Sequence, residues 1–542
     1  MAVSLFSFLA LFGMTSVAFG QPEVKPGVVL LKCKEFYEPC DLSDLNKTAG
    51  ISRIKRLAKT SRLLAGILSE GVTTDQAIST YAKDPRIDYV EPNYLVRAFD
   101  LPNDPFFKYQ WGLHNTGQTG GTIDSDINAP LAWDLRPNGP NVVIGVIDTG
   151  VDYTHLDLAN NMWTNSLEIP GNGMDDDDNG YIDDIHGINA ATGKGDPMDD
   201  NQHGTHVAGI IAAEGNNGLG VSGVLQKAKI ITCKCLDENG VGDTASAIVC
   251  MDYFAALAAR SRNPVKMVAT NNSWGGGGMS RAFTDAVRDH QKLGILFVAA
   301  AGNIGDNNDA VGSFPANIEL SNVISVAASD AQDRLASFSN YGPHSVHVAA
   351  PGTDILSTIP GQVYDYLSGT SMAAPFVTGV IGSILATNTD MDWVSIKNLI
   401  IAGGTLTEAA TDGLISGRRL RMIDQDGRGS LSCNNQVLRR RIQPKSSTLI
   451  MRVRQKLPLA MLKINCAKSS QPALSLINTP IQVTHLGLKK DVGVDNLLND
   501  LGQNGDEVAY DGIFSGEFIP ALAGTYRLLF PGADSVTVTV LE

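Results

Sequence analysis

A serine, a histidine and an aspartate stand in three separate short segments of this chain, each in a setting that can make it reactive. Ser371 lies in Ser368-Gly369-Thr370-Ser371-Met372-Ala373-Ala374-Pro375, where Gly369 allows a tight turn and an apolar, helix-like run follows. A hydroxyl at a helix N-terminus sits beside backbone N–H groups without intrahelical partners and beside the positive end of the helix dipole. Such N–H groups can stabilise an oxyanion formed when the serine attacks a carbonyl. Pro375 is expected in the first turn, where its missing N–H does no harm. The same residues also read as an ordinary Ser-capped helix start, so Ser371 alone decides nothing. His203 opens His203-Gly204-Thr205-His206-Val207-Ala208-Gly209, which continues as an apolar helix. An imidazole there can take the serine proton if a carboxylate orients its other nitrogen. Asp148 ends the apolar, β-branched run Val142 to Ile147, which reads as a buried parallel strand. Open α/β sheets place their sites at such strand ends. Asp148-Thr149-Gly150 would also suit an aspartic protease, but that chemistry needs a second carboxylate motif, and no other Asp-Thr-Gly occurs.

Taken in the order Asp, His, Ser, the segments Val146 to Gly150, His203 to Gly209 and Gly369 to Pro375 resemble the subtilisin-like serine proteases, the subtilases; this chain order is that of subtilisin itself. The resemblance runs from about Pro102 to about Met422. It implies a doubly wound α/β domain with a parallel sheet at residues 100–425, with Ser371 as nucleophile, His203 as base and Asp148 as its orienting acid. Phe297-Val298-Ala299-Ala300-Ala301-Gly302-Asn303 resembles the family's oxyanion segment. It makes Asn303 a side-chain donor to the oxyanion and Gly302 a substrate-binding neighbour; by itself Asn303 reads as a turn residue after glycine. Ser273-Trp274-Gly275 resembles the edge segment that pairs with an extended substrate and walls the specificity pocket. The run Gly275 to Gly278 leaves room for a large side chain or is simply a flexible loop. Kexin-like relatives carry acidic residues there and this chain does not, which implies broad cleavage after large apolar or aromatic residues.

A second theme is a hard cation. Asp175-Asp176-Asp177-Asp178-Asn179-Gly180-Tyr181-Ile182-Asp183-Asp184 crowds six carboxylates into ten residues. Asp175, Asp177 and Asn179 have the alternate spacing of an EF-hand loop start, and Gly180 stands where the chain turns. His186 replaces the usual twelfth-position Glu, so the loop is not a full EF-hand. Carboxylates this close repel unless a cation gathers them, which points to Ca2+ held by Asp175, Asp177, Asn179 and Asp184; a solvated acidic loop is the alternative. The family resemblance implies a second calcium site at Asp104, Asp157 and Asn217, in a loop that departs from the usual one by a single insertion.

The elements that must position these groups fall into several units. The chain has 542 residues, is 43% hydrophobic and carries a net charge of −15, so it can bury a large core and is a poor partner for nucleic acid. Val3 to Val17 is mostly apolar and Ala18 and Gly20 are small, so residues 1–20 read as a signal peptide and the protein as secreted, without stable membrane insertion; an uncleaved anchor is the alternative, though the stretch is short for a bilayer. No other stretch is expected to cross a bilayer. Residues 21–99 read strand, basic helix (Arg53 to Ala65, capped by Ser52), second helix (Thr74 to Lys83), strand. That α+β pattern resembles the inhibitory propeptide of subtilases, which implies cleavage between about Tyr94 and Pro102; an α+β domain that stays attached is the alternative. Residues 430–542 are short strands with turns at Asp500 to Asp506 and Tyr510 to Gly512 and a closing hairpin, a β-sandwich of immunoglobulin type. Among seven cysteines at least one is unpaired. Cys33 with Cys40, and Cys433 with Cys466, fall within single units. One of Cys233 and Cys235 can pair with Cys250, or all three stay as buried thiols. A protein or peptide substrate and the chain's own propeptide are the implied partners. A silent subtilase fold acting as a calcium-dependent scaffold is the alternative from another class.

Overall fold

The computed structural model describes residues 24–35, 41–44, 50–57, 63–94, 101–135, 139, 141–423, 437–465, 479–487, 490–491, 497–498, 513–530 and 534–542. The expected signal peptide, Cys40, Cys433, Cys466 and the turns at 500–506 and 510–512 lie outside these residues. The chain divides into two units, residues 1–98 and 99–542.

The first unit is a four-stranded antiparallel sheet in the order Ile51–Arg56, Leu63–Leu68, Val24–Cys33, Ile87–Tyr94, with the helix Thr74–Tyr81 alongside. A capping box between Thr73 and Gln76 starts that helix. The basic stretch expected as a helix from Arg53 is instead two paired strands. Ile51 is buried, and Gly66 leaves the space its side chain fills across the pair: a Cβ on Gly66 would lie 2.4 Å from Ile51 Cδ1. Ser52, expected as a cap, donates to the Ile67 carbonyl at 3.0 Å. Cross-strand burial overrides the helix propensity of the lysines and arginines. Cys33 is disulfide-bonded; Cys40, its expected partner, lies outside the described residues.

The second unit is built on a nine-stranded sheet. Its parallel body runs Val348–Pro351, Val323–Ser329, Leu296–Ala300, Met267–Asn272, Val143–Asp148, Lys229–Lys234, Gly187–Asn189. The near-continuous apolar strands follow from helices covering both faces. His203–Ala212 and Thr370–Thr387 pack into one hydrophobic cluster, and Thr244–Ala259 and Arg281–Lys292 into the other. The chain order reverses at Val143–Asp148, which lies between the later strands Met267–Asn272 and Lys229–Lys234. Asp148 therefore ends the strand at the topological switch point, where such sheets bind ligands. Contrary to expectation, Thr370–Thr387, at 18 residues, is long and apolar enough to cross a membrane by length and composition. It is mostly buried in the core, which accounts for its apolar character. Cys233 bonds Cys250 (Cα–Cα 5.6 Å) and Cys235 is free and buried, so the all-thiol alternative fails for one pair and holds for Cys235.

Beyond residue 436 two sheets share one hydrophobic cluster. One contains Val437–Gln443, Leu457–Asn465 and Ile513–Phe518; the other contains Thr448–Arg452, Ser535–Leu541, Gly524–Leu529, Gln482–His485 and Lys490–Asp491. The expected closing hairpin, Gly524–Leu529 with Ser535–Leu541, is present and antiparallel.

His206 and His290 are fully buried in the core of the second unit. His206 Nε2 faces the carbonyls of Ile355 and Asp365 at 2.9 and 3.1 Å, and His290 Nε2 faces the Met251 carbonyl at 2.8 Å. Burial pulls both imidazoles down to about 4. The unfolded chain protonates them near pH ~6.5 and the folded chain does not, so the stability they contribute is complete above that pH. It drains as pH falls toward about 4, on the order of 1 kcal/mol per pH unit for each histidine. Thermal unfolding followed from pH 7 to pH 4.5 should show the melting temperature falling, with a shallower slope for His290→Gln; equal slopes would show that His290 makes no contribution.

Candidate active site

The carboxylate of Asp148 has no exposed surface and receives two hydrogen bonds at Oδ1, from Thr149 N–H at 2.8 Å and from His203 Nδ1 at 2.7 Å. The donor at Nδ1 fixes the tautomer and leaves Nε2 free to accept a proton. His203 is 27% exposed on its side chain, so one edge of the ring stays open to a ligand. Burial pulls the imidazole pKa down, but the Asp148 carboxylate, its hydrogen bond and the charge of Asp199 outweigh it and hold the value above the ordinary one. The pair depends on two glycines. A Cβ on Gly204 would strike the Gly150 carbonyl at 2.0 Å, so only glycine lets the histidine helix close onto the strand end. Gly150 itself has φ 103°.

Ser371 is the second residue of the helix Thr370–Thr387, which places its N–H in the first turn as expected. Pro375 is a correction: it is the sixth residue, inside the helix. Having no N–H, it cannot donate to the carbonyl four residues back, that of Ser371. Ser273 Oγ fills that vacancy, donating to the Ser371 carbonyl at 2.7 Å, and is itself held by Asn271 Nδ2 at 2.8 Å. In return Ser371 Oγ donates to the Ser273 carbonyl at 2.9 Å, and Thr378 Oγ1 anchors Asn271 at 2.9 Å. The proline thus ties the serine's helix to the end of Met267–Asn272.

Asn303 is brought to the same place. Its Oδ1 accepts from Thr370 N–H at 2.8 Å and from Thr370 Oγ1 at 2.9 Å, which turns Nδ2 outward as a free donor. A Cβ built on Gly369 would lie 3.4 Å from Asn303 Nδ2 and 3.5 Å from Ser371 N, so the two N–H donors border one small space. Gly302 has φ 117°, and a Cβ there would meet Asn340 Nδ2 at 2.5 Å. Gly276 N–H bonds the Phe314 carbonyl at 3.0 Å, and a Cβ on Gly276, Gly277 or Gly278 would meet nothing within 4 Å. Trp274 turns its ring edge-on to Phe283, 5.6 Å between centroids, and packs into the adjoining hydrophobic cluster.

The acidic loop is organised differently from the sequence-based set. Asp175 and Asp177 converge with Glu168, each offering an oxygen within 4.8 Å of the others. Asp177 Oδ2 is held by Asn165 and Arg260, while its Oδ1 is buried without a hydrogen-bond partner. Glu168 also accepts from the N–H groups of Asp176, Asp177 and Asp183, so it clasps the loop. Asn179 donates to Asp184 at 2.9 Å, and Asp184 accepts from Asn165 and, at 2.6 Å, from Tyr253 OH. These two residues hydrogen-bond each other and are not in the converging group. The three carboxylates and the orphaned oxygen suit a hard cation. Asp104, Asp157 and Asn217 are brought together: Asn217 donates its N–H to Asp104 at 3.1 Å and its Nδ2 to Asp157 at 2.7 Å.

The family model described as "Subtilase family" matches residues 139–415, just over half of the chain, and spans Asp148, His203, Asn303 and Ser371. The chain belongs to the subtilase family. Among curated relatives, this subtilase is 40% identical over 310 residues to a thermophilic serine proteinase of Bacillus sp. strain AK1, covering 56% of this chain and 65% of the relative. It is 37% identical to subtilisin-like protease 1 of Plasmodium falciparum, covering 55% of this chain and 44% of the relative. To the extracellular basic protease of Dichelobacter nodosus it is 36% identical, covering 61% and 57%. The chain spans less than two thirds of the length of each. A solved protease from Pseudoalteromonas arctica is 28% identical, with a TM-score of 0.48, covering 60% of this chain and 98% of that one.

Glu168, Asn271 and Thr370 escaped the reading of the subtilase sequence. Glu168 stands seven residues before the acidic run, and its signal would have been a lone carboxylate ahead of a loop crowded with others. Asn271 and Thr370 have no signal short of the tertiary contacts they make. Ser273→Ala leaves the buried Ser371 carbonyl without its donor, which should cost about 1–3 kcal/mol. The expected result is a lower melting temperature with native circular dichroism; an unchanged melting temperature would show that the hydroxyl does not replace the missing Pro375 N–H.

Proposed function

We propose that this subtilase is a secreted serine endopeptidase, made as a zymogen, that hydrolyses peptide bonds in protein or peptide substrates through an acyl-enzyme. The reading is supported by a buried Asp148–His203 pair at the switch-point end of the sheet and by the free amide of Asn303 beside the Ser371 helix start. Ser371 Oγ leaves the Ser273 carbonyl and attacks the scissile carbonyl. His203 Nε2 takes its proton and returns it to the leaving amine, while Asp148 holds Nδ1–H and stabilises the imidazolium. Ser371 N–H and Asn303 Nδ2 stabilise the oxyanion. Ser273, Trp274, Gly275 and Gly302 border the cleft, and the open space over Gly276 to Gly278 favours large apolar residues at the cut. A silent scaffold would have no use for a carboxylate buried at this depth to orient an imidazole that remains accessible.

The domain assignment is a signal peptide at 1–20, an inhibitory propeptide at 21–99, a catalytic domain at 100–425 and an immunoglobulin-like β-sandwich at 430–542. The antiparallel sheet and helix of the first unit support the second of these, and the two sheets sharing a core support the last. Relatives named extracellular and cell wall-associated proteases support secretion. Calcium is the proposed structural ion, held by Glu168, Asp175 and Asp177 in the acidic loop and by Asp104, Asp157 and Asn217 at the second site. Bound there it neutralises charge that would otherwise repel.

A fluorophosphonate probe should label the purified protein and fail to label Ser371→Ala; labelling that survives the substitution, or is absent from both, would overturn the enzyme reading. Asn303→Ala should lower kcat by about 10²–10³ with little change in KM, a magnitude established for subtilisin. Because His203 acts as a neutral base and its pKa is raised, kcat/KM should fall as pH drops through a value above the ordinary ~6.5. EDTA should lower the melting temperature of the wild type and do so less for Asp177→Asn; no response to EDTA would remove the calcium proposal.

A further inference from the structure

We propose that Asp199 is a positioning residue for the reaction, a buried carboxylate that locks the strand end bearing Asp148 to the helix start bearing His203. The inference rests on reading His203 as the base for Ser371. Asp199 is 5% exposed and receives four hydrogen bonds. Thr149 Oγ1 donates to Oδ1 at 2.9 Å and Asn201 N–H to the same oxygen at 3.0 Å. Thr205 donates twice to Oδ2, from N–H at 3.0 Å and from Oγ1 at 2.6 Å. Thr149 directly follows Asp148, and Thr205 lies two residues after His203, so the clamp spans the two groups whose separation matters.

The polarity of this network is forced. Thr149 Oγ1 already accepts from Gly204 N–H at 2.9 Å, and Thr205 Oγ1 already accepts from Asp152 N–H at 2.9 Å. Each hydroxyl has a single proton to give, and both give it to Asp199. Position 199 therefore faces donors on both oxygens and must be an acceptor at both, which an ionised carboxylate satisfies and an amide does not. An asparagine would set its NH2 against two hydrogens on one side. Through Gly204 N–H the clamp also fixes the residue next to His203, and Asn201 Oδ1 accepts from His203 N–H itself at 3.1 Å.

The charge has a second effect. The titratable groups around His203 are Asp148 at its Nδ1, Asp199 behind the loop and His206 one turn along the helix, with the Lys234–Asp200 ion pair (2.6 Å) beyond Thr149. Both carboxylates favour the imidazolium, so removing the charge of Asp199 makes His203 easier to deprotonate.

The test uses the purified protein, a fluorophosphonate probe and a peptide substrate. Asp199→Asn should label at Ser371 at least about tenfold more slowly, lower kcat by a similar factor with KM within about twofold, and move the acid limb of kcat/KM to lower pH, since a clamp contributing roughly 1.4 kcal/mol or more to the transition state corresponds to that factor. Thr149→Val removes one strut without touching the charge and should slow labelling, whereas Thr149→Ser, which keeps the hydroxyl, should restore the wild-type rate. A folded Asp199→Asn protein with unchanged kcat and an unmoved acid limb overturns the inference. If that variant does not fold, equal rates for Thr149→Val and Thr149→Ser overturn it instead. Failure of the wild type to label at Ser371 refutes the reading beneath it, a result distinct from a labelled wild type whose variants match it.

Discussion

A carboxylate with no exposed surface must find its stabilisation inside the protein, and Asp148 is that carboxylate here. Only one of its oxygens is engaged, by Thr149 N–H and the His203 ring, while Oδ2 has no hydrogen-bond partner. Both hydrogen bonds to the buried carboxylate thus fall on one oxygen, and one of them is the contact that chemistry needs. The aspartate orients the histidine, and the histidine donates one of the two hydrogen bonds that the buried carboxylate receives. This mutual dependence explains why the strand end and the helix start are joined so closely, down to glycines at 150 and 204 whose neighbours leave no room for a side chain.

Distance and rotation in the site are set by different forces. Packing sets the distances. A Cβ on Gly379 would lie 2.5 Å from Val224 Cβ, and one on Gly382 would lie 2.5 Å from Leu225 Cδ1, so the helix that begins at Ser371 settles deep against its neighbours. The apolar packing of this helix does little to prevent it from turning about its axis, because dispersion and burial are not directional. The directional bonds supply what packing lacks. The Ser273–Ser371 exchange and the Thr370–Asn303 pair occupy the first turn, where side-chain partners are needed in any case. Pro375 converts a helix-internal carbonyl into an attachment point, so a residue that weakens a helix ladder strengthens its connection to the sheet.

Legibility in the sequence follows the same division. The parallel strand ending at Asp148, the helix starts at His203 and Ser371 and the Asn303 segment could be read because local pattern and chemistry coincide there. The closing hairpin of the last sheets was equally plain from its alternation. Arg53 to Ala65 departs from the expected helix because its helix-forming charges say nothing about the pairing of Ile51–Arg56 with Leu63–Leu68. Pro375 was placed one turn too early because Gly369 and Thr370, which look like loop, already stand at the helix start. In the acidic loop the density of carboxylates was legible but its geometry was not. Asn179 and Asp184 have the right chemistry and spacing, yet Tyr253 and Asn165, far away in the chain, hold Asp184 in another hydrogen-bonded cluster.

Hydroxyl direction marks the limit of such reading. Threonine at 149, 205 or 370 can donate or accept, and nothing local decides which. The choice is made by backbone N–H groups on other segments: Gly204 for Thr149, and Asp152 for Thr205. Once those amides take the hydroxyl lone pairs, the protons must go elsewhere, and at position 199, where donors meet both side-chain oxygens, the residue that receives them must be an anion. The identity of a buried side chain is then a consequence of hydrogen bonds it does not itself make. An aspartate such as Asp199 looks in sequence like one more acid in a loop rich in them, and its necessity is visible only when the proton of each neighbouring hydroxyl is followed to its acceptor.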